Sequence, residues 1–141
     1  MKEQLKNLED FQQGFGLTYN QRPINLPVSE GKLRYKLLKE ENEEYLEAVK
    51  MGDRTEIADA LGDQLYIVLG SIVSHGMQGI IEDVFAAIHE SNMSKLDGNG
   101  NPIVNGENGV YDKTKPIGKV LKSDQYFTPT ARIEKLLKDS I

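Results

Sequence analysis

Apolar residues recur along most of this chain at helical spacing, and polar residues break the pattern at only a few places. Leu5 and Leu8 set a helix over residues 2–13 that stops near Gly14 and Gly16. Residues 17–31, with Pro23, Pro27 and Gly31, read as a loop. Ser29 is placed to N-cap a second helix that runs to Lys50 and ends at Met51, Gly52 and Asp53. A third helix is predicted over 54–74, stopping at His75 and Gly76, and a fourth over 78–95, before Asp97, Gly98 and Gly100. Short turns between these three imply antiparallel neighbours. Residues 97–118 are dense in Gly and Asn and predict a loop, or a small β-hairpin of Pro102–Val104 with Val110–Tyr111. Thr128 and Pro129 predict the N-cap and first residue of a short last helix through Ile133, Leu136 and Leu137. The expected fold is all-α, an antiparallel helical bundle.

Polar intrusions into the apolar faces carry the chemistry. In the second helix Leu37, Leu38, Glu41, Tyr45, Ala48 and Val49 share one face, and Glu41 stands where the pattern asks for an apolar residue. Glu44 follows three residues later, about 60° around the helix, and can point into the same space. The third helix, EIADALGDQLYIVLGSIV, is apolar nearly all round yet holds Asp59 and Asp63. Asp is a poor residue for a helix interior, and burying one uncompensated costs several kcal/mol.

Folding the two helices back at residues 51–53 and counting about 1.5 Å per residue sets Glu44 level with Asp59, Glu41 level with Asp63, and Glu56 opposite Glu47. Carboxylates facing one gap repel one another, and a divalent cation relieves the repulsion. Hard oxygen ligands select Mg²⁺ or Mn²⁺ over Zn²⁺ or Cu²⁺. The plainer reading of the EENEE run is a solvated face paired with Lys36, Lys39 and Lys50, and it suits Glu40, Glu43 and Glu47 best. Asp63 is open between a metal ligand, a hydrogen-bond acceptor behind the ligands and the partner of a buried cation.

Composition narrows the function classes. A chain of 141 residues predicts one domain, 1–141. Without cysteine there is no disulfide framework, thiolate metal site or thiol nucleophile. The net charge of -5 is uneven: acidic residues gather in 40–63, while lysines recur in the last third at Lys95, Lys113, Lys115, Lys119, Lys122, Lys135 and Lys138. Such a balance argues against wrapping a nucleic-acid backbone and suits a metal beside an anionic ligand. The longest apolar run, Leu65–Leu69, falls well short of the roughly 20 residues of a membrane helix. A soluble cytoplasmic protein without a membrane segment is expected. Because the LYIVLG stretch leaves little polar surface on its helix, a second subunit is expected to cover it, giving a homodimer or homotetramer.

Glu41-x-x-Glu44, an 11-residue spacer and Glu56-x-x-Asp59 resemble the signature of the all-α nucleotide pyrophosphohydrolases. That superfamily includes MazG-like enzymes, dimeric dUTPases and phosphoribosyl-ATP pyrophosphohydrolases. The surrounding segments LRYKLLKEENEEYLEA, EIADALGDQLYIVLG, HESNMSKLDGNGNPI and GKVLKSDQYFTP are similar to the MazG-like branch, in the same order, so the resemblance spans roughly residues 10–130. It implies a bundle in which Glu41, Glu44, Glu56 and Asp59 hold Mg²⁺ or Mn²⁺, with Asp63 as a possible fifth member. A nucleoside triphosphate is then cut between its α and β phosphates into monophosphate and pyrophosphate. It further implies that Glu40 orients or deprotonates the water beside Glu41 and Glu44, and that Asn92, Lys95, Lys119 and Lys122 contact the substrate.

Three rivals stand beside this reading: a phosphoribosyl-ATP pyrophosphohydrolase, an acidic helical module that binds a basic protein without catalysis, and an inactive metal-binding regulator. An EF-hand at Asp97, Asn99 and Asn101 fails, because Pro102 occupies the glycine position and Asn108 the position of the last carboxylate. No Walker loop precedes Gly118–Lys119. His75 and His89 are isolated, and Phe15, Tyr19, Tyr126 and Phe127 are candidates for stacking on a base or for packing.

Overall fold

A computed structural model describes all residues, 1–141. It contains five α-helices: α1 (Lys2–Gly14), α2 (Val28–Met51), α3 (Arg54–Ser74), α4 (Ile81–Met93) and α5 (Thr130–Asp139). The chain is all-α, as the apolar periodicity requires, and it gathers into two compact units: Met1–Ile81 with Ser140–Ile141, and Glu82–Asp139.

In the first unit α3 is the central element, packed by α1 and by α2. Leu5 and Leu8 of α1 meet Leu69 and Val73 of α3 to form the buried core, with Tyr19, Ile72 and Ile81 against it. The α2–α3 connection follows from its residues. Gly52 takes the left-handed conformation (φ 68°) that closes α2, and Asp53 then caps α3 by accepting hydrogen bonds from the N–H groups of Thr55 and Glu56.

Helix α2 starts one residue earlier than Ser29 predicted. Pro27 stands at its N-cap, and the Pro27 carbonyl accepts from the Glu30 and Gly31 N–H groups. A proline has no N–H to lose there, so the helix begins without a hydroxyl cap. Helix α4 is shorter than expected at both ends. Residues 78–80 are taken up in a turn closed on the Met77 carbonyl, and Ser94–Leu96 turn back on Glu90, Asn92 and Met93.

Helix α3 is long and apolar enough to cross a membrane by length and composition, and most of it is exposed within the chain. Its outward residues include Leu61, Leu65 and Val68, spaced as one stripe.

The second unit is organised by Asn105, which is fully buried. Its Nδ2 donates to the carbonyls of Asp112, Lys115 and Pro116, and its Oδ1 accepts from the Asp112 N–H. One side chain thereby gathers the Gly-rich segment into a closed loop. The hairpin expected with Val110–Tyr111 does not form: Val104 makes an isolated antiparallel bridge with Val120 instead. Asn105 explains the difference, since its backbone N–H donates to the Lys119 carbonyl and its carbonyl accepts from Gly118, drawing in the later segment. Ser91, Ser94 and Ser123 tie the same loop to the end of α4. Helix α5 starts one residue later than predicted, at Thr130, and Arg132 pairs with Glu90 of α4 at 2.5 Å.

Candidate active site

The relative register of α2 and α3 is read directly from three hydrogen bonds. Arg34 Nε donates to Ser71 Oγ (3.0 Å), Arg34 Nη2 donates to the Ile67 carbonyl (2.8 Å), and Gln64 Nε2 donates to Asn42 Oδ1 (3.2 Å). Continuing that antiparallel register sets Glu41 level with Asp63, and Glu44 level with Asp59 and Ala60. Ala48 comes level with Glu56 and Ile57. Ala48 and Ala60 are both buried, so small side chains let the helices close up around the carboxylates.

Glu41 is the centre of this group. It is half-buried, and its Oε2 is closed off from solvent without a hydrogen-bond partner. Burial, then the charges of Glu44, Asp63, Glu40 and Asp59, push its carboxyl above the usual range. Glu44, Asp59 and Asp63 therefore act on one point, as does Glu40. Glu56 lies in the first turn of α3, exposed, with its N–H on the Asp53 cap, and is not among the charges acting on Glu41. Glu43 and Glu47 pair with Lys39 (3.8 Å) and Lys50 (2.6 Å) on the solvated face, as the charge run suggests.

A buried carboxylate oxygen without a partner, ringed by further carboxylates, has the chemistry of a hard divalent cation's donor set. The side chains as placed do not yet converge, since no three of them stand close enough together to hold a metal ion. Glu44, Glu56, Asp59 and Asp63 are all exposed and reach the gap by side-chain rotation.

Next to the carboxylates the three helices of this unit enclose a cavity of about 310 Å³, lined by Leu8, Phe11, Gln12, Leu17, Arg34, Leu37, Tyr66, Ile67 and Gly70. Two polar residues face it that sequence reasoning passed over. Arg34 lies seven residues before Glu41, on the same face of α2, and is held below its ordinary pKa by burial, with only Glu30 acting against this. Gln12 is 2 % exposed and continues the Leu5–Leu8 stripe of α1. In both cases the available signal was a polar residue at an apolar position, the same one that marked Glu41. A larger groove of about 630 Å³, lined by Tyr35, Leu38, Lys39, Asn42, Leu61, Gln64, Leu65 and Val68, is mostly apolar and contains none of the carboxylates.

The remaining candidates lie in the second unit. Lys95 Nζ donates to Asn92 Oδ1 (2.7 Å), so these two are brought together. Lys122 Nζ sits 4.5 Å from the centre of the Tyr126 ring, and Lys119 is exposed on the Asn105 loop. Of the aromatic residues weighed for stacking, Phe15 packs on Phe11 (4.6 Å), which in turn meets Tyr66 edge-on (5.5 Å).

The profile of the phosphoribosyl-ATP pyrophosphohydrolase family matches residues 8–92, more than half of the chain, a span that includes all five α2–α3 carboxylates and the Arg34 cavity. No curated protein matches the chain. The carboxylate register and the profile agree in kind: the chain belongs to the phosphoribosyl-ATP pyrophosphohydrolase family, within the all-α nucleoside triphosphate pyrophosphatase superfamily, and is a nucleotide pyrophosphohydrolase.

Proposed function

We propose that this protein is a Mg²⁺-dependent nucleoside triphosphate pyrophosphohydrolase that releases nucleoside monophosphate and pyrophosphate, clearing nucleotides from the pool. The observation that carries the proposal is the orphaned Glu41 oxygen beside Glu44, Asp59 and Asp63, on the family's helices. Glu41, Glu44, Asp59 and either Glu56 or Asp63 would hold the cation. When bound, Mg²⁺ (or Mn²⁺) offsets the negative charge of the triphosphate and acidifies a water. Glu40, one residue from Glu41, is placed to orient that water and take its proton as the new P–O bond forms and the α–β bridging bond breaks. Asn92, Lys95, Lys119 and Lys122 are assigned to the substrate by resemblance, and the Lys95–Asn92 contact supports the first two.

The exposed stripe Leu61, Leu65 and Val68 and the groove beside it support a homodimer or homotetramer over a membrane. Asp59 and Asp63 in the first half of α3 would have to enter hydrocarbon if that helix spanned a bilayer. Phosphoribosyl-ATP is the second substrate reading, because the matched family is named for it.

Purified protein with Mg²⁺, each common ribo- and deoxyribonucleoside triphosphate and phosphoribosyl-ATP, assayed for pyrophosphate against orthophosphate, tests both. Pyrophosphate with monophosphate from a triphosphate is expected. Turnover of phosphoribosyl-ATP alone selects the second reading, and no turnover with Mg²⁺ or Mn²⁺ overturns both. Glu44→Gln and Asp59→Asn should each lower kcat by at least a hundredfold with the fold intact; wild-type rates in both would remove the site assignment.

A further inference from the structure

The cavity between α1, α2 and α3 has a composition that packing alone does not require. Its walls are the rings of Phe11 and Tyr66 and the side chains of Leu8, Leu17, Leu37 and Ile67, and two polar groups face it. Gln12 donates from Nε2 to the Gly70 carbonyl (3.2 Å) and to Ser74 Oγ (2.8 Å). The Gly70 carbonyl fixes the orientation of this amide, because turning it over would set oxygen against oxygen. Gln12 Oε1 is thereby left as a buried acceptor with no donor. Leaving such a group unmade costs about 1–3 kcal/mol. Arg34 spends Nε and Nη2 on α3 and has no carboxylate within ion-pair distance, so its remaining N–H groups are available.

A ligand for this cavity must therefore be flat enough for the aromatic walls, accept from Arg34, and donate to Gln12. A carboxylate does not qualify: Arg34's fork is already engaged, and Gln12 Oε1 would face lone pairs. A neutral heterocycle with a ring or exocyclic N–H beside an acceptor does qualify, which is the edge of a nucleobase. Size selects further, since about 310 Å³ lies at the low end of small-molecule pockets and suits one ring rather than two. Arg34 also stands seven residues from Glu41 on the same helix face, roughly 10 Å along the axis, about the span that separates a base from its phosphates.

We propose that this cavity is the base subsite and that it takes a pyrimidine, with Gln12 Oε1 and Arg34 reading the ring edge between Phe11 and Tyr66. The inference rests on the triphosphate being held at the Glu41 end of the groove, and it departs from the purine that the family's name carries.

Two measurements test it. Uridine and cytidine, against adenosine and guanosine, are titrated without metal into ¹⁵N-labelled wild-type protein. Pyrimidine nucleosides are expected to shift the Gln12 side-chain amide at millimolar concentration and purine nucleosides to shift it less. No shift with either pyrimidine, or an equal shift with purines, overturns the subsite whatever the protein hydrolyses. In turnover, kcat/KM for pyrimidine triphosphates is expected to exceed that for purine triphosphates at least tenfold. Gln12→Met and Arg34→Met should each reduce that ratio fivefold or more, mainly through KM. A ratio unchanged in both folded variants also overturns the subsite, while failure of every triphosphate in the wild type overturns the pyrophosphohydrolase proposal and leaves the nucleoside titration to decide the cavity.

Discussion

Gly70 carries no side chain at the point on α3 where the Arg34 guanidinium lies: a Cβ there would stand 2.5 Å from Nη2 and 3.4 Å from Cζ. The missing methyl lets an arginine of α2 lie against the α3 backbone and bond the Ile67 carbonyl and Ser71. These contacts set the register that brings Glu41 level with Asp63. The glycine on one helix and the carboxylate geometry on the other are thus parts of one arrangement.

Gly70→Ala should push Arg34 off α3 and destabilise the protein by about 1–3 kcal/mol in urea denaturation. Combined with Arg34→Met, the losses should not add, because both remove the same contact. Additive losses would show that Gly70 matters for another reason.

Glu41 subtracts stability when no cation is bound, since folding buries it among Glu44, Asp63, Glu40 and Asp59. Glu41→Gln is therefore expected to stabilise the EDTA-treated protein at neutral pH by up to about 1 kcal/mol. Addition of Mg²⁺ or Mn²⁺ should raise the Tm of the wild type and leave that of the variant almost in place. A lower Tm for the variant in EDTA would contradict the repulsion.

Asn105→Ala removes the group that satisfies four backbone partners at once and should cost at least about 3 kcal/mol in the second unit, read as lost hydrogen-exchange protection at Asp112, Gly118 and Lys119. The same loop has a pH signature. Asp112 is held down from 3.8 to about 2 by the Thr114 hydroxyl, the Thr114 N–H and Lys115. A depressed carboxyl stabilises the fold fully above its unfolded value, and that stability is lost as pH falls toward about 2. Protection in residues 105–119 should thus be constant from neutral pH to about 4 and fall below it, and Asp112→Asn should flatten the profile.

Gly76 has φ +69°, and a Cβ on it would overlap the Arg22 backbone. Gly76→Ala should cost at least about 2 kcal/mol by strain and by displacing residues 20–24 from the end of α3, where Asn20 and Ile24 bond Val73, Ser74 and His75. A variant as stable as the wild type by thermal melting would mean that this loop yields freely.

Leu65 is 56 % exposed at the centre of the Leu61–Val68 stripe. If a second copy covers it, Leu65→Lys should convert the protein to monomer by light scattering at micromolar concentration. A wild type that is monomeric at the same concentration would remove the proposed oligomer.

Much of the site was legible before any fold was known, for a local reason. A carboxylate in an apolar stripe is visible at its own position, and two helices joined by a three-residue turn have a register that follows from 1.5 Å per residue. Counting from Met51–Asp53 accordingly placed Glu41 opposite Asp63 and Glu44 opposite Asp59, and the hydrogen bonds of Arg34 and Gln64 give the same levels. The same logic failed at residues 97–118. Hairpin signals there were local, whereas pairing was decided by a buried Asn105 that bonds residues up to fourteen positions away.

The sequence by itself therefore determined the helices α1–α3 closely, the all-α class and the acidic face that two of them share. Only the tertiary structure decided that Gln12 and Arg34 meet across three helices, that Gly70 makes room for them, and that Val104 pairs with Val120. Helical periodicity and turn chemistry are written in neighbouring residues. Which buried polar group finds which partner depends on the surfaces that long-range packing brings together.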